Sequence, residues 1–548
     1  MKISNKHFSS LKIAGMLLVG TTLFHACSND FLEGKPLDKI TEVDVWSDPA
    51  LAQGFVNEIY AEMRDGWGNH LSLSVSSDES FARERTGAHL IQRGEINPSD
   101  LGHLDWTWEH YYEIIARSNL FLTNMESDNG QGLIAEEPIL NRSMGETKVL
   151  RAFAYHRLSS LYGGVPLILK KMSMEDELNV PRNSYQEIID FIVKELDEAA
   201  VALPTEYSDD NYGRITKGAA LALKSRVLLY AASALHNPGN DAGKWQKASD
   251  AAKAVIDMNS YTLHPDYAQT FNEEGNHNNE IIWALVRNND LWEKFKAERN
   301  LFPNYDGGYA VTVPTRRHVD TYETINGLSI DEDPTFDPQN PWADRDPRFY
   351  FTILFDGAPW RDRQIETFLP GGKDSPDSPK DAWNASFTGY YTKKMVLENW
   401  SRSISESSSP NWIMLRYTEM LLNYAEAEFQ LGNEATAREY VNLVRSRPTV
   451  EMPAITDSGD RLLARIKNER RVEFYLEEHR FFDIRRWKET FPANDWIQKV
   501  DVHKDPQTGI RTISYSNLQE WALPEHTFLL PIPLSEIQKN PKLEQNDY

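Results

Sequence analysis

Along much of the chain apolar residues recur every three or four positions, the period of helices that bury one face. Ser47-Asp48-Pro49 reads as a helix start, a capping side chain followed by proline in the first turn, and Leu51, Phe55 and Ile59 then mark an apolar stripe. In TKGAALALKSRVLLYAASAL, Leu221, Ala222, Ser225, Leu228, Leu229 and Ala232 share one helical face, and the many alanines permit close packing. NPGN at 237–240 breaks this helix, and KWQKASDAAKAVIDM resumes the pattern with Trp245, Ala248, Ala252, Val255 and Ile256, which predicts an αα-hairpin. A second hairpin follows from NWIMLRYTEMLLNYAEAEFQLGN, where Ile413, Tyr417, Met420, Leu421 and Tyr424 fall on one face before Gly432-Asn433 and EATAREYVNLVRSRP.

Helix pairs of this size, with small and aromatic knobs, look like irregular tetratricopeptide-type units. Between the hairpins, from about 297 to 410, the texture changes to glycine, proline, asparagine, aspartate and serine with scattered aromatics, among them Tyr305, Tyr309, Trp360, Trp383, Tyr390 and Trp400. RFYFTILF at 348–355 alternates and is rich in β-formers, which predicts a short strand. A loop-rich segment of this length inside a compact protein is usually functional. The expected fold class is mainly α, with helix hairpins as scaffold and a loop-rich insertion carrying short strands.

The N-terminus follows a different grammar. Lys2, Lys6 and Lys12 precede an apolar run from about Ile13 to Leu23, too short to span a bilayer comfortably, and a small residue, Ala26, precedes Cys27. This is the layout of a secretory signal over residues 1–26, and it resembles a bacterial lipobox, with Phe24 and His25 in slots where aliphatic and small residues are commoner. Cys27 is the only cysteine in 548 residues, so it makes no internal disulfide. Its expected role is lipidation, anchoring a protein body to a membrane by acyl chains.

Charge narrows the partners. The whole chain carries −24, and residues 1–26 hold three lysines and no acid, so the chain from Cys27 carries −27. Nucleic acid is therefore not an expected partner, because a basic footprint supplies most of that affinity.

Four stretches in order, RAFAYHRLSSLYGGVPLI (151–168), KGAALALKSRVLLYAA (217–232), RIKNERRVEFYLEEHRFFDIRRWK (465–488) and FLLPIPLSEIQKNPKLEQN (528–546), resemble the SusD/RagB family of surface lipoproteins, as does CSNDFLEGKP after the lipobox. That resemblance spans nearly the whole mature chain. It implies an N-terminal helical region over 27–275 and a C-terminal region over 276–548 that includes the insertion. It further implies an outer-membrane, cell-surface, lipid-anchored protein that binds oligosaccharides, or peptides in the RagB branch. Such a protein serves a SusC-like TonB-dependent transporter as its lid, and it is not catalytic.

Candidate site residues follow from what a glycan needs: flat aromatic surfaces for C–H faces, flanked by side chains that hydrogen-bond hydroxyls. By resemblance, SSDESFARER with Asp78, Arg83 and Arg85 and the neighbourhood of Trp106 and Trp108 lie near the ligand site; a helix carrying both tryptophans turns one of them to the core. NNDLWEKFKAERNLFPNYDGGY adds Trp292, Tyr305 and Tyr309. Glu469 and Glu473, at i and i+4, could be read as the carboxylate pair of a glycoside hydrolase, but the surrounding arginines favour a structural ion-pair network along a helical face of Ile466, Arg470, Glu473, Glu477 and Arg480. A pure interaction scaffold is the remaining alternative. No cofactor motif is evident, and the scattered histidines show no zinc-binding spacing. DEDPTFDPQN (331–340) is oxygen-rich and a weak candidate for structural calcium, without the spacing of an EF-hand.

Overall fold

The computed structural model describes residues 42–63, 72–82, 87–136, 138–173, 177–286, 299–396, 398 and 411–548. The signal segment with Cys27, and Arg83, Arg85, Trp292 and Trp400, lie outside the described residues.

The principal helices are α1 (Glu42–Ser47), α2 (Pro49–Ala61), α3 (Thr107–Met125), α4 (Pro138–Tyr162), α5 (Tyr185–Ala202), α6 (Lys217–Ala232), α7 (Ala242–Ile256), α8 (Tyr417–Gln430), α9 (Glu434–Arg445), α10 (Gly459–Glu473) and α11 (His479–Arg486). Their starts follow the local chemistry. Asp48 accepts from the Ala50 and Leu51 amides at 2.8 and 3.2 Å, with Pro49 opening α2. Ser184 and Glu187 satisfy one another's backbone amides in a capping box at the start of α5. The buried face of α2 is Ala52, Val56 and Ile59, rotated from the expected stripe, because Trp46 of α1 packs edge-on against Phe55 and leaves it, with Leu51, at the margin.

Each helix from α3 to α7 packs on the next in chain order, and α7 then packs on α8, and α8 on α9. The array therefore continues across a gap in sequence: the chain leaves it at Ile256 and returns at Tyr417. The mainly α architecture with helix hairpins is as expected, and both predicted hairpins, α6–α7 and α8–α9, form. Helix α6 differs in being buried on nearly every side, since α5, α7 and α8 all reach it; Ala219, Ala220, Ala222, Ala231 and Ala232 let those neighbours approach. One hydrophobic cluster runs from Ile59 to Leu543.

Strands are few and short: β1 (Ser80–Ala82), β2 (Ile281–Leu285), β3 (Thr312–Pro314), β4 (Trp412–Arg416) and the longer ribbon of β5 (Asp495–Lys504) and β6 (Arg511–Trp521). Every sheet among the described residues has two strands, antiparallel, with β1 on β3 and β2 on β4. Two expectations are corrected here. Ile413 belongs to β4 and not to the helix after it, because residues 412–416 are buried on both sides as a strand. Of RFYFTILF, the first five residues belong to a helix over Pro347–Thr352 and only Ile353–Leu354 pair as strand, since Asp346 accepts from the Arg348 amide at 2.9 Å and Pro347 occupies the first helical turn. Capping chemistry outweighs the alternation.

Helix α10 ends at Glu473, and Leu476 and Glu478 adopt left-handed backbone before α11, so Glu477 and Arg480 leave the single face expected for them. Their charges still pair. Glu473 accepts from Arg416 at 2.8 Å, Arg348 at 3.0 Å and Arg447 at 3.2 Å, while Glu469 accepts from Arg348 at 2.5 Å and Arg445 at 2.9 Å. Arg416 also reaches Glu280 at 2.8 Å and Glu477 at 2.7 Å. All of these residues but Glu477 are buried, and the Glu477 side chain is only 4% exposed. Burial alone would raise the Glu473 carboxyl, and the guanidiniums of Arg416, Arg447 and Arg348 overcome that and hold it well below the usual range. The lattice ties the insertion, through Arg348, to β4, α9 and α10.

Candidate functional site

The insertion places an aromatic face at the protein surface. Its first wall is the segment from Arg299 to Ala310, whose shape glycine makes possible. Gly307 has φ +92°, and a Cβ on Gly308 would stand 2.0 Å from the Phe302 carbonyl oxygen. Tyr309 donates its amide to the Arg299 carbonyl at 2.7 Å, which brings the Arg299 guanidinium over the Tyr309 ring, 3.7 Å from its centroid. The second wall is the turn Ala382–Asn384, where Trp383 lies 6.0 Å from Tyr309, centroid to centroid, with rings tilted by 40°. Trp383 is 68% exposed and Phe387 45%, high values for such large apolar groups. Phe387 sets its edge against Phe81 of β1, and β1 pairs with β3 directly after Tyr309 in the chain.

Hydrogen bonds beneath this face fix the two walls to each other. The Tyr391 hydroxyl lies 2.6 Å from the Asn304 side-chain oxygen and 2.7 Å from the Asp374 carbonyl, its one proton shared between them, and the Asn304 amide nitrogen donates to the Lys380 carbonyl at 3.3 Å. Asp306 accepts from the Trp360 indole at 2.9 Å and from Arg363 at 2.6 Å. Tyr305, half-buried, has Arg363, Lys380 and Lys373 within 5.2, 5.5 and 5.9 Å of its ring centre. Arg363 is committed to Asp374 and Asp306. Lys373 reaches Glu366 at 3.4 Å.

The expected site residues separate. Tyr305 and Tyr309 stand on the aromatic face. Asp78 does not face solvent: it is fully buried, bound by Arg480 at 2.7 Å and Arg471 at 2.9 Å. Burial would raise its carboxyl, and those two guanidiniums instead hold it well below the ordinary range. Trp108 is core, edge-on to Tyr162 at 5.0 Å; Trp106, half-buried, contacts His110 and Tyr111 at 5.2 and 6.0 Å. Arg83, Arg85 and Trp292 lie outside the described residues, the first two directly after β1 in the chain. Sequence reasoning did not single out Trp383, Phe387, Arg299 and Lys380; the signal was the run KDAWNASFTGYY, aromatics set among small and polar residues.

Glu79, next to Asp78 and just before β1, is a buried carboxyl with no ion-pair partner among the described residues. Burial pushes it up to about 8; the Ser74 hydroxyl, Arg480 and Arg471 lower it only in part, and Asp78 adds to the rise. The Glu469 and Glu473 carboxylates are buried and bound by arginine, so this pair does not meet a substrate from solvent. In DEDPTFDPQN, Asp333 accepts from the Thr335 amide at 2.8 Å and from Asn326 at 2.9 Å, bonds that hold its own turn. Two clefts, of about 680 Å³ between α5, α6 and α7 and about 620 Å³ between α3, the 166–180 segment and the C-terminal tail, are away from the aromatic face and share none of its residues.

The chain thus joins a mainly helical scaffold to an aromatic, loop-built face, and comparison gives this architecture its family. The SusD family model matches residues 279–548, and a second model, described as starch-binding associating with outer membrane, matches 30–229. The chain belongs to the SusD/RagB family. It is 25% identical over 464 residues to SusD-like protein P25 of Formosa agariphila, covering 80% of this chain and 78% of that one. The crystal structure of a SusD-like protein from Bacteroides fragilis superposes with a TM-score of 0.78 at 29% identity, covering 94% of this chain and all of the other. The surface glycan-binding protein A of Bacteroides uniformis shares the fold, with a TM-score of 0.65 at 19% identity and coverages of 91% and 99%.

Proposed function

We propose that the protein is a cell-surface lipoprotein that captures oligosaccharides on the face formed by Trp383, Tyr309 and Phe387 and delivers them to a SusC-like TonB-dependent transporter in the outer membrane. The observation that carries this reading is the exposure of Trp383 beside Tyr309 and Arg299 on a rigid base. Flat rings on a polar rim suit the C–H faces and hydroxyls of a sugar. Stacking supplies affinity, and side chains such as Lys380 and Arg299 supply hydrogen bonds. Binding of this kind needs no catalytic group. The family model described as starch-binding and the glycan-binding name of the Bacteroides uniformis protein support the ligand class. The lipid anchor rests on Cys27 and its preceding segment; among the described residues no helix is long and apolar enough to cross a membrane.

The test is calorimetric titration of the purified protein against panels of oligosaccharides and peptides, followed by analysis of the sugars for cleavage. Saturable binding of an intact glycan that Trp383→Ala weakens is the expected result. Binding of peptides alone would favour the RagB-like cargo, and cleavage products would overturn a purely binding role.

A further inference from the structure

Histidines in this chain show no metal-binding spacing, yet the fold brings one of them, with a carboxylate of its own helix, beside a second carboxylate distant in the chain. Glu62 is the residue that ends α2, and His110 and Glu113 lie one turn apart on α3. One ligand atom from each of the three stands within 4.8 Å of the other two. We propose that Glu62, His110 and Glu113 form a binding site for a divalent transition-metal ion, zinc by its donor set. The inference does not depend on the glycan reading.

The donor set is one imidazole nitrogen and two carboxylate oxygens, a combination that suits zinc and its neighbours, whereas calcium takes oxygen ligands alone. A His and a Glu at i and i+3 project from the same side of a helix, as in metal sites built between helices. Ligands about 2.0–2.1 Å from a tetrahedral ion stand roughly 3.3 Å apart, so the separations within the cluster need to close by no more than about 1.5 Å. Its side chains divide that labour. His110 is 5% exposed and is held against Trp106 and Tyr111, with ring centroids 5.2 and 5.5 Å away. The Glu113 and Glu62 side chains are 48% and 34% exposed, so they can swing onto a fixed imidazole.

Another cation already stands at the cluster. Arg117 lies 2.9 Å from Glu113, 3.6 Å from Glu62 and 3.7 Å from Glu58, with its own side chain 32% exposed. Guanidinium and metal compete for the same two carboxylates, so the ion binds by displacing Arg117 toward solvent. This gives the proposal a signature that an ordinary surface ion pair lacks: removing Arg117 tightens metal binding. A bound ion would link the end of α2 to α3 next to Trp106.

The experiment is titration of the untagged, chelator-treated protein with Zn²⁺ by calorimetry and with Co²⁺ by visible absorption and tryptophan fluorescence. One equivalent of Zn²⁺ is expected to bind, with ligand-field bands and a changed tryptophan emission when Co²⁺ takes its place. Affinity should fall roughly tenfold or more in Glu113→Gln, an exposed change that leaves the core intact, and likewise in His110→Ala. Arg117→Gln should bind more tightly than the parent. The proposal is overturned if neither the parent nor Arg117→Gln binds Zn²⁺ saturably, or if binding survives Glu113→Gln undiminished.

Discussion

Two regions of the molecule are rich in arginine and aromatic rings, and they differ in what they leave at the surface. Around Glu473 each guanidinium is dry and divided among carboxylates: Arg416 serves Glu280, Glu473 and Glu477. Around Trp383 the cations lie over rings, Arg299 on Tyr309 and Lys380 near Tyr305, and the large apolar groups remain in contact with water. The first arrangement is enclosed, so its charges do not meet a ligand from solvent. The second leaves flat surface whose burial would be favourable. Density of charge along the sequence is therefore a poor guide to function here, and exposed aromatic area is the better one.

The strongest way to break this contrast is Glu473→Ala. Removing one carboxylate takes a shared partner from Arg416, Arg447 and Arg348 at once and leaves an excess of buried positive charge, which should cost about 3–5 kcal/mol of unfolding free energy in denaturant titrations. Glu79→Gln comes next and sharpens the contrast, because Glu79 adjoins Asp78, which pairs with Arg471 and Arg480, and leads into β1 of the aromatic face. Its carboxyl titrates at about 8 when folded against an ordinary 4.5. Between those values the folded protein holds a proton that the unfolded chain has lost. The contribution is therefore fully present below pH 4.5 and is lost as pH rises through 8, by up to about 1.4 kcal/mol per pH unit. Stability measured from pH 5 to 9 should fall more steeply in the parent than in Glu79→Gln.

Trp383→Ala should weaken binding of a cognate oligosaccharide roughly tenfold, about 1.4 kcal/mol, in calorimetry, with the thermal midpoint unchanged. Equal loss of stability would place Trp383 in the packing and erase the difference between the regions. Ser184→Ala touches neither region. It removes half of the capping box of α5 and should cost about 1 kcal/mol in stability without altering ligand affinity.

The scaffold was legible in the sequence because helix periodicity and caps are local. Asp48-Pro49 and Ser184 with Glu187 announce helix starts within a few residues, and both hairpins could be placed from their apolar stripes. Local signals also misled: alternation in RFYFTILF was weaker than the cap of Asp346 and Pro347, and the stripe at Ile413 concealed a strand whose partner, β2, lies far away in the chain. The aromatic face was only half legible. Tyr305 and Tyr309 could be named from composition, but Trp383 joins them through Asn304, Lys380 and Tyr391, contacts that no spacing encodes. Asp78 shows the converse, a residue whose surroundings in sequence suggest a ligand and whose surroundings in space are two arginines.

The most direct measurement is the crystal structure of the protein with an oligosaccharide that calorimetry has shown to bind. The expected result is a sugar ring stacked on Trp383, with Tyr309 and Phe387 alongside and the Glu473 lattice undisturbed. A ligand lodged instead in the cleft between α5, α6 and α7, with Trp383 in contact with solvent alone, would contradict it.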